Sequence, residues 1–454
     1  MHQIRLPIGI AWLLERSLVF APAVGPVGAL SDLPLLDFHK IATQCQHALV
    51  EQLVPFWLQY ACDSPCGGYF DYLTPTGTPL DADKSTARQA EQVWAFAYLY
   101  TAIDAQSDWL DHALHGADFL AQYAHTPRMA CYTRLSRTGQ PVAPQQGPLL
   151  NDPVTSGRVA SAYALVHLAT ADDQWAMLAK QTLQVALRQY QTDREAATMA
   201  PADEPQPLRY LAQPVALLRA LLDARPLFDA ADWKEATEPL LDEILNEFLD
   251  KRHDLLRDRV GVGGAFSNTP DGRRVGTGLT METAGLLIDV SALLSNRKLT
   301  LQATNWGLRL CQWAWPEAVP GRGEPLAESN VPGLPRYLDW KGQPLTAPNA
   351  TNRVAGDHVL ALSALANGYW HTRHPEAPRW LRRVADYTFQ HFPDGNGPAW
   401  HLALSAQQQP VTLLKTTADE GCYALVRGLA DTWQHLDQCA RLQPISAQRL
   451  TSNV

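Results

Sequence analysis

The chain has few cysteines, no long apolar run and no basic run. Seven cysteines spread over 454 residues are too few for a disulfide framework, so we expect a reduced, cytoplasmic setting. Cys62 and Cys66 form a C-x3-C pair, but no second Cys/His pair follows at zinc-ligand spacing, so no metal site is expected. No apolar run reaches the ~18 residues that cross a bilayer, and no membrane partner is expected. The net charge of −9, without a Lys/Arg cluster, argues against nucleic acid as a partner.

The sequence also lacks the common cofactor and nucleophile motifs. It contains no G-x-x-x-x-G-K-[ST] loop, no G-x-G-x-x-G after a strand and no G-x-S-x-G elbow. The run at residues 261–264 leads into a predicted hairpin instead of a phosphate-binding helix. We therefore expect no cofactor.

The first 35 residues do not match the pattern of the rest of the chain. Residues 8–23 are apolar, but Glu15 and Arg16 interrupt them, where a signal peptide needs an unbroken apolar segment. We interpret residues 1–35 as an N-terminal extension and residues 441–454 as a C-terminal tail.

A unit of two parts recurs along the chain: a Gly-centred turn between strand-like residues, then an amphipathic helix. Tyr/Phe alternation around a Thr-Gly or Asp-Gly dipeptide is typical of a short hairpin. The predicted hairpins are residues 67–80 (turn at Gly77), 131–142 (Gly139), 263–272 (Pro270-Asp271-Gly272), 336–345 (Gly342) and, more weakly, 399–411.

The spacing of the turns gives the period of the repeat. Gly77 and Gly139 lie 62 residues apart, Gly139 and Gly272 lie 133 apart, and Gly272 and Gly342 lie 70 apart. Because 133 is twice about 66, one hairpin has been lost near residues 205–208. Six units of about 66 residues then fit between residues 36 and 437.

Each unit has room for two helices beside its hairpin. Apolar residues at helical spacing predict pairs at 85–101 with 109–123, 155–170 with 175–190, and 352–370 with 377–391. Six such pairs predict an all-α fold, an (α/α)6 barrel of six helix pairs with short β-hairpins at one end. One barrel uses residues 36–440, so we predict a single domain.

The hairpin end of the barrel is where a ligand site is expected. The N-termini of the inner helices present free amides and positive dipole ends there, and fourteen Trp and fourteen Tyr provide flat surfaces for sugars. Helix capping accounts for part of the polar residues at these helix starts. The predicted catalytic residues are His358, Glu282, Glu420 and Asp357, and the predicted substrate-binding residues are Arg88, Glu91, Trp94, Arg158, Tyr210, His401 and Tyr423.

Three segments resemble the N-acylglucosamine 2-epimerase superfamily, which includes cellobiose 2-epimerases and aldose–ketose isomerases on an (α/α)6 barrel. Residues 67–96 resemble the family's G-G-[FY]-F hairpin, D-x-K and Q-G-R-Q-V-W-x-F helix. Residues 278–289 are similar to its P-G-H-x-x-E-x-x-[WG]-L-L pattern, and residues 379–400 with 420–429 to its closing stretches. The resemblance implies a small carbohydrate substrate, and, since the family often dimerises through outer helices, a homodimer.

The chain departs from the family at three positions that carry its chemistry. Glu91 stands at the family's arginine, and Leu279 and Ala424 stand at its two histidines. Family members open the sugar ring and use histidine bases to remove and return the proton at carbon 2, which leucine and alanine cannot do. Glu282 and Arg427 match the family pattern.

The resemblance therefore implies an epimerase or isomerase with a rearranged site. His358, beside Asp357 at the start of an inner helix, is the predicted substitute base. The other roles fall to a second proton-transfer group, from Glu282, Glu420 or Glu91, and to a cation that polarises the sugar oxygen, Arg88 or Arg158.

Two other functions fit the same residues. α/α Barrels also host glycoside hydrolases and lyases that use paired carboxylates, and the mouth is rich in Asp and Glu. A catalytically silent, sugar-binding member is the third reading, because all three family positions are lost. Fold alone does not choose among them.

Overall fold

A computed structural model of the chain describes residues 37–442, apart from 145–146, 200–207, 316–331, 342–344, 346, 348, 396 and 398. The predicted extension 1–35 and nearly all of the predicted tail 441–454 lie outside the described residues. So do most of the segment assigned to the lost hairpin and the predicted turn at Gly342.

The described residues form thirteen α-helices of more than one turn, and the capping residues define several of their starts. Asp152 accepts the backbone N–H of Thr155 at 2.8 Å, and Ser85 accepts that of Arg88 at 3.5 Å. In chain order the helices are α1 (Phe38–His47), α2 (Val54–Tyr60), α3 (Thr86–Ala102), α4 (Ser107–Tyr123), α5 (Pro153–Thr170), α6 (Asp173–Met199), α7 (Ala212–Asp223), α8 (Ala230–Glu243), α9 (Thr277–Leu293), α10 (Arg297–Ala314), α11 (Ala355–Thr372), α12 (Ala377–His391) and α13 (Cys422–Arg441).

Two π-helical turns extend the outer helices. Ala48–Leu53 joins α1 to α2, and Ile244–Phe248 continues α8. Together with a one-turn helix at Pro270–Arg273, they mark the places where the repeat is least regular.

The helices form two concentric rings, so the predicted (α/α)6 barrel is confirmed. Helices α3, α5, α7, α9, α11 and α13 contact one another in that order, and α13 contacts α3 to close the inner ring. The outer ring consists of α1–α2, α4, α6, α8, α10 and α12, each packed against an inner helix. Inner helices such as α9 are buried on nearly every side because they touch both neighbours and the outer ring.

Ten short strands in the described part of the chain lie at one end of the barrel, in antiparallel pairs. They are β1 (Lys84–Ser85), β2 (Arg134–Leu135), β3 (Arg209–Tyr210), β4 (Leu249–Asp250), β5 (Leu255–Leu256), β6 (Arg259–Val260), β7 (Arg274–Gly276), β8 (Tyr337–Asp339), β9 (Arg353–Val354) and β10 (Ala403–Leu404).

Most of these pairs join neighbouring repeat units. β1, β3, β7 and β9 each lie just before an inner helix, and they pair with β2, β6, β8 and β10 of the following unit. The last unit returns to the first, because Leu73 bridges to Thr416 and accepts the backbone N–H of Lys415 at 2.8 Å. The starts of α3, α7, α9, α11 and α13 are thus fixed by the next unit around the ring.

The first two predicted hairpins are confirmed. Gly77 and Gly139 have φ angles of 78° and 90°, which glycine adopts without strain. A Cβ at these positions would meet the rings of Tyr60 and Tyr123 at 2.3 and 2.4 Å. The weaker last copy turns in the same way, with Gln408 at a φ of 60°.

The predicted turn at Pro270-Asp271-Gly272 is wrong. These residues begin the one-turn helix, whose start is capped by Thr269, since its hydroxyl accepts the N–H of Gly272 at 3.1 Å. The strand that follows, β7, pairs with β8 instead of folding back on residues 263–266.

None of the helices in the described ranges is both long and apolar enough to cross a membrane.

Candidate functional site

A network of charged side chains joins four inner helices at the barrel mouth. Arg158, in the second turn of α5, lies with Nε 3.2 Å from Glu91 Oε1 and with a terminal nitrogen 3.1 Å from Glu282 Oε1. Its other terminal nitrogen donates to the Tyr423 hydroxyl at 2.7 Å, and its guanidinium stacks on that ring at 4.1 Å. One arginine thus ties α3, α9 and α13 together.

Two further arginines complete this mouth network. Arg427 lies 3.3 Å from Glu282 Oε1 and donates to the Tyr423 hydroxyl at 3.1 Å, and Arg88 pairs with Glu91 at 2.6 Å. The predicted site residues on these helices therefore do meet. Opposite Glu91, the residue that the sequence resemblance aligns with a family arginine, Arg158 supplies a guanidinium from the neighbouring helix.

Trp94 packs against the mouth network through Tyr423. Its indole N–H donates to Asp223 at 2.9 Å, and its ring stacks on Tyr98 at 4.8 Å and meets the edge of Tyr423 at the same distance. Because the ring is buried and its N–H is occupied, Trp94 orients Tyr423 instead of offering an open face for a sugar.

Beside the network lies a cavity of about 270 Å³, just below the range typical of small-molecule sites. Its walls come from the β3–β6 and β7–β8 pairs and from the first turns of α9 and α11. The lining residues are Tyr210, Ala212, Asp258, Arg259, Arg274, Gly276, Leu279, Arg336, Tyr337 and Asp357. We call it the Asp258–Asp357 cavity.

Both aspartates of this cavity hold protons more tightly than usual. Burial raises the pKa of Asp357 to about 8, with the negative charge of Glu420 adding to the effect and Arg336 opposing it. Burial raises the pKa of Asp258 to about 6, while the N–H of Gly276, which its carboxylate accepts at 2.7 Å, acts in the opposite direction. Near neutral pH one group is mostly protonated and the other mostly ionised.

The position of Asp357 is set by its neighbours. Its carboxyl lies against Gly278, where an added Cβ would come within 1.9 Å of Oδ1, and Leu279 lines the same cavity. Asp357 thus shares the cavity with Leu279, the residue that the sequence resemblance aligns with a family histidine. Arg336 lies 3.0 Å from Glu420, and burial raises the pKa of Glu420 also.

The outer part of the cavity combines arginines and tyrosines. The guanidinium of Arg259 lies over the Tyr210 ring at 4.7 Å, and that of Arg274 lies over the Tyr337 ring at 4.4 Å. Tyr210, a predicted binding residue, lines the cavity and is 42% exposed.

The structure places His358 away from the site. Its ring is fully buried, Nε2 accepts the N–H of Leu334 at 2.9 Å, and Nδ1 bonds the carbonyl of Val354 at 2.8 Å. Burial lowers the pKa of His358 to about 3. With both nitrogens bonded to backbone, His358 has no free atom with which to act as the predicted base.

The predicted binding residue His401 is also separate from the Asp258–Asp357 cavity. It lies 3.9 Å from Asp394, next to the buried ammonium of Lys415, and does not line the cavity. Burial lowers the pKa of His401, with the charge of Lys415 acting in the same direction.

Several cavity residues were not predicted from the sequence: Asp258, Arg259, Arg274, Arg336 and Tyr337. All lie in or next to strands that pair between units, so their proximity depends on a contact that the repeat pattern does not contain. Within the described ranges, no group of three or more His, Cys, Asp or Glu side chains could hold a metal ion.

Comparisons with known proteins agree with this architecture. A model of the N-acylglucosamine 2-epimerase (GlcNAc 2-epimerase) family matches residues 68–423. Human N-acylglucosamine 2-epimerase is 24% identical over 396 residues, which are 84% of this chain and 87% of that protein.

Solved structures share the fold at low sequence identity. A sugar epimerase from a ruminal bacterium superposes with a TM-score of 0.71 at 13% identity, covering 87% of this chain and 98% of its own. Cellobiose 2-epimerase from Bacillus thermoamylovorans gives 0.70 at 16%, with coverages of 87% and 99%. An unsaturated glucuronyl hydrolase specific for heparin gives 0.56 at 11%, with coverages of 89% and 98%.

Proposed function

The chain belongs to the N-acylglucosamine 2-epimerase family, and from this premise we propose that it is a sugar epimerase or aldose–ketose isomerase in which carboxyl groups replace the family's histidine bases. Asp258 and Asp357 are the proton-transferring groups. The substrate is a sugar whose ring opens to expose a carbonyl at carbon 1.

One observation supports this proposal above the others: two aspartates with raised pKa values line the cavity that also contains Leu279. Proton transfer next to a carbonyl needs groups that titrate near the working pH. Burial brings the pKa values of Asp258 and Asp357 to about 6 and about 8, on either side of neutrality. The chemistry that leucine cannot supply is therefore available from the side chains around it.

The reaction then proceeds in two steps. Asp258, as the carboxylate, removes the proton from carbon 2, and the electron pair of the C–H bond forms an enediolate. Asp357, as the acid, returns a proton. Delivery to the opposite face of carbon 2 gives the epimer; delivery to carbon 1, with the hydroxyl proton moved from oxygen 2 to oxygen 1, gives the ketose. Exchange with solvent restores both carboxyls.

The enediolate needs a positive charge that is in place before the reaction. Arg336 lines the cavity and is oriented by Glu420 at 3.0 Å, so we assign it to the sugar oxygen. In this proposal Glu282 and Glu420 position guanidiniums, and the mouth network of Arg158, Glu282 and Tyr423 forms the inner wall of the site.

Proton NMR in deuterium oxide tests the proposal, with mannose, glucose, N-acetylmannosamine, cellobiose and several uronic acids as substrates. We expect the carbon 2 signal of at least one sugar to disappear with time. Asp357→Asn should slow formation of the epimer or ketose by about 100-fold or more, the contribution of a positioned acid or base.

A matched control is available in Asp83→Asn. Asp83 is a half-exposed carboxyl that pairs with Arg134 at 3.2 Å outside the cavity, so its loss should leave the exchange rate unchanged. Equal rates for Asp357→Asn and the unaltered protein would reject Asp357 as the acid, and no exchange on any sugar would reject the proposed activity.

Glycoside hydrolysis is the second candidate function, and the same pair of carboxyls favours it. An inverting hydrolase needs one protonated and one ionised carboxyl in a single site, and Asp357 and Asp258 have these states near neutral pH. Release of glucose from cellobiose in the same NMR tube, without loss of the carbon 2 signal, would select hydrolysis over epimerisation.

A further inference from the structure

The Asp258–Asp357 cavity has an excess of positive charge on its inner surface. Three guanidiniums, those of Arg259, Arg274 and Arg336, line it directly. The carboxylates of Asp271 and Glu420, which pair with them, are not part of the lining. Two carboxyl groups, those of Asp258 and Asp357, line the cavity as well, so a ligand inside it meets three guanidiniums and two carboxyls.

Arg259 and Arg274 are weakly neutralised. Asp271 pairs with both, at 3.0 and 3.7 Å, and this carboxylate is 60% exposed. An ion pair with such an exposed group neutralises little of the guanidinium charge, because water screens the interaction. A second carboxylate, that of Asp258, lies 3.8 Å from Arg274 Nε, which is longer than a hydrogen bond.

The two guanidiniums are also held in a fixed orientation. Each stacks on a tyrosine ring, Arg259 on Tyr210 and Arg274 on Tyr337, and the Nε atoms of both are buried without a hydrogen-bond acceptor among the described residues. A stacked guanidinium keeps the N–H donors at its edge available for a planar or tetrahedral anion.

We propose that the sugar carries an anionic group (a carboxylate, phosphate or sulfonate) that Arg259 and Arg274 bind at the outer end of the cavity, an inference that rests on the proposed function. The charged group is then at the strand layer, while the carbonyl end of the open sugar reaches Arg336, Asp258 and Asp357. An anionic sugar with its charge at the end remote from carbon 1 fits this arrangement.

The test compares sugars that differ only in the group on carbon 6, which is neutral in glucose and anionic in the others. Carbon 2 exchange is measured in deuterium oxide for glucose, glucuronate, glucose 6-phosphate and 6-deoxy-6-sulfoglucose at pH 7, and binding is measured by calorimetry. Since each charge-assisted hydrogen bond is worth about tenfold or more in affinity, we expect the best charged sugar to exceed glucose by about 100-fold in kcat/KM. The charged sugar with the highest kcat/KM identifies the anionic group that the cavity binds.

Three variants make the assignment specific. Arg274→Gln should reduce the preference for the charged sugar to less than about tenfold. Asp271→Asn removes the competing carboxylate and should tighten binding of the charged sugar several-fold. Arg134→Gln, which removes a half-exposed arginine outside the cavity, should leave the preference unaltered.

The outcomes separate this inference from the proposed function. Exchange on glucose as fast as on every charged sugar would overturn the anion site and leave the proposed activity standing. Binding of a charged sugar that Arg274→Gln weakens, with no exchange on any sugar, would support the anion site and overturn the proposed activity. An Asp271→Asn variant that binds the charged sugar less tightly would count against the role given to both arginines.

Discussion

Asp357 and His358 are adjacent in the chain but lie in different environments. Successive side chains of a helix point about 100° apart, so when Asp357 faces the cavity, His358 is turned into the outer layer against the rings of Tyr387 and Phe392. We therefore propose Asp357 as the residue that transfers the proton, and its pKa should govern how the rate depends on pH.

We predict a bell-shaped dependence of kcat/KM on pH. The rate should rise through about pH 6, as Asp258 ionises, and fall above about pH 8, as Asp357 loses its proton. Glu420→Gln removes a negative charge that raises the pKa of Asp357, so the alkaline limb should move to lower pH. A limb that stays near pH 8 in this variant would contradict the assignment to Asp357.

Asp357 should also make the free energy of unfolding depend on pH. Its pKa is about 8 in the folded chain against 3.8 for the free group, so the folded state holds more protons between these values and unfolding becomes easier as pH rises.

We predict that His358 contributes to stability and not to proton transfer. His358→Ala leaves the N–H of Leu334 and the carbonyl of Val354 without their partner and opens a cavity, which should cost about 2–4 kcal/mol of unfolding free energy. Urea unfolding measures that cost, and carbon 2 exchange at low temperature should change less than about threefold. A large loss of exchange with unchanged stability would restore the catalytic reading of His358.

The choice between these neighbours could not be made from the sequence alone. The pattern correctly placed both residues at the start of an inner helix. It did not determine the rotation of that helix about its axis, and a rotation by one residue would turn His358 instead of Asp357 toward the cavity. Only the packing of α11 between α9 and α13 determines this rotation.

At the scale of elements, the first turn of α9 determines where Asp357 can lie. We predict that Gly278→Ala lowers kcat/KM by about 10- to 100-fold, because the new Cβ would overlap the Asp357 carboxyl and misplacement by about 1 Å has effects of this size. Gly285→Ala on the same helix is the control, since its Cβ would meet Ala364 at an ordinary 3.8 Å. Equal rates for both variants would exclude this role for Gly278.

The loops between strands and helices are held by buried lysines. Lys84 is 1% exposed, lies 3.1 Å from the fully buried Asp63 and also donates to the carbonyl of Gly67. We predict that Lys84→Met costs about 3–5 kcal/mol. Arg134→Met, which breaks a half-exposed pair with Asp83, should cost at most about 1 kcal/mol. Urea unfolding of the two variants would reveal any reversal of this order.

The sequence predicted the helices better than the strands. The helix at 377–391 agrees in both bounds, because its apolar residues repeat at regular helical spacing. The Asp-Gly at 271–272 was misread because Thr269 caps a helical turn there, and cross-unit pairs such as β7–β8 leave no local pattern. Asp258, Arg274 and Arg336 come together only through those pairs, so they could not be found before the structure.

For the whole molecule, ring closure should make unfolding cooperative. In an open array of repeats each unit depends on two neighbours and the ends can fray, whereas here α13 contacts both α11 and α3. We predict one urea transition with the same midpoint by tryptophan fluorescence and far-UV circular dichroism, since buried tryptophans lie in units from Trp57 to Trp400. Two separate midpoints would show that part of the ring opens alone.

The bridge between Leu73 and Thr416 also affects how the chain emerges from the ribosome. At roughly 5–20 residues per second, synthesis of the intervening stretch takes roughly 20–70 s. During that time the first hairpin has no partner for its outer edge, and unpaired strand edges favour aggregation. We therefore expect nascent chains of this protein to depend on protection by chaperones until the last helix is synthesised, and slowing translation near the 3′ end of the message should lower the yield of folded protein.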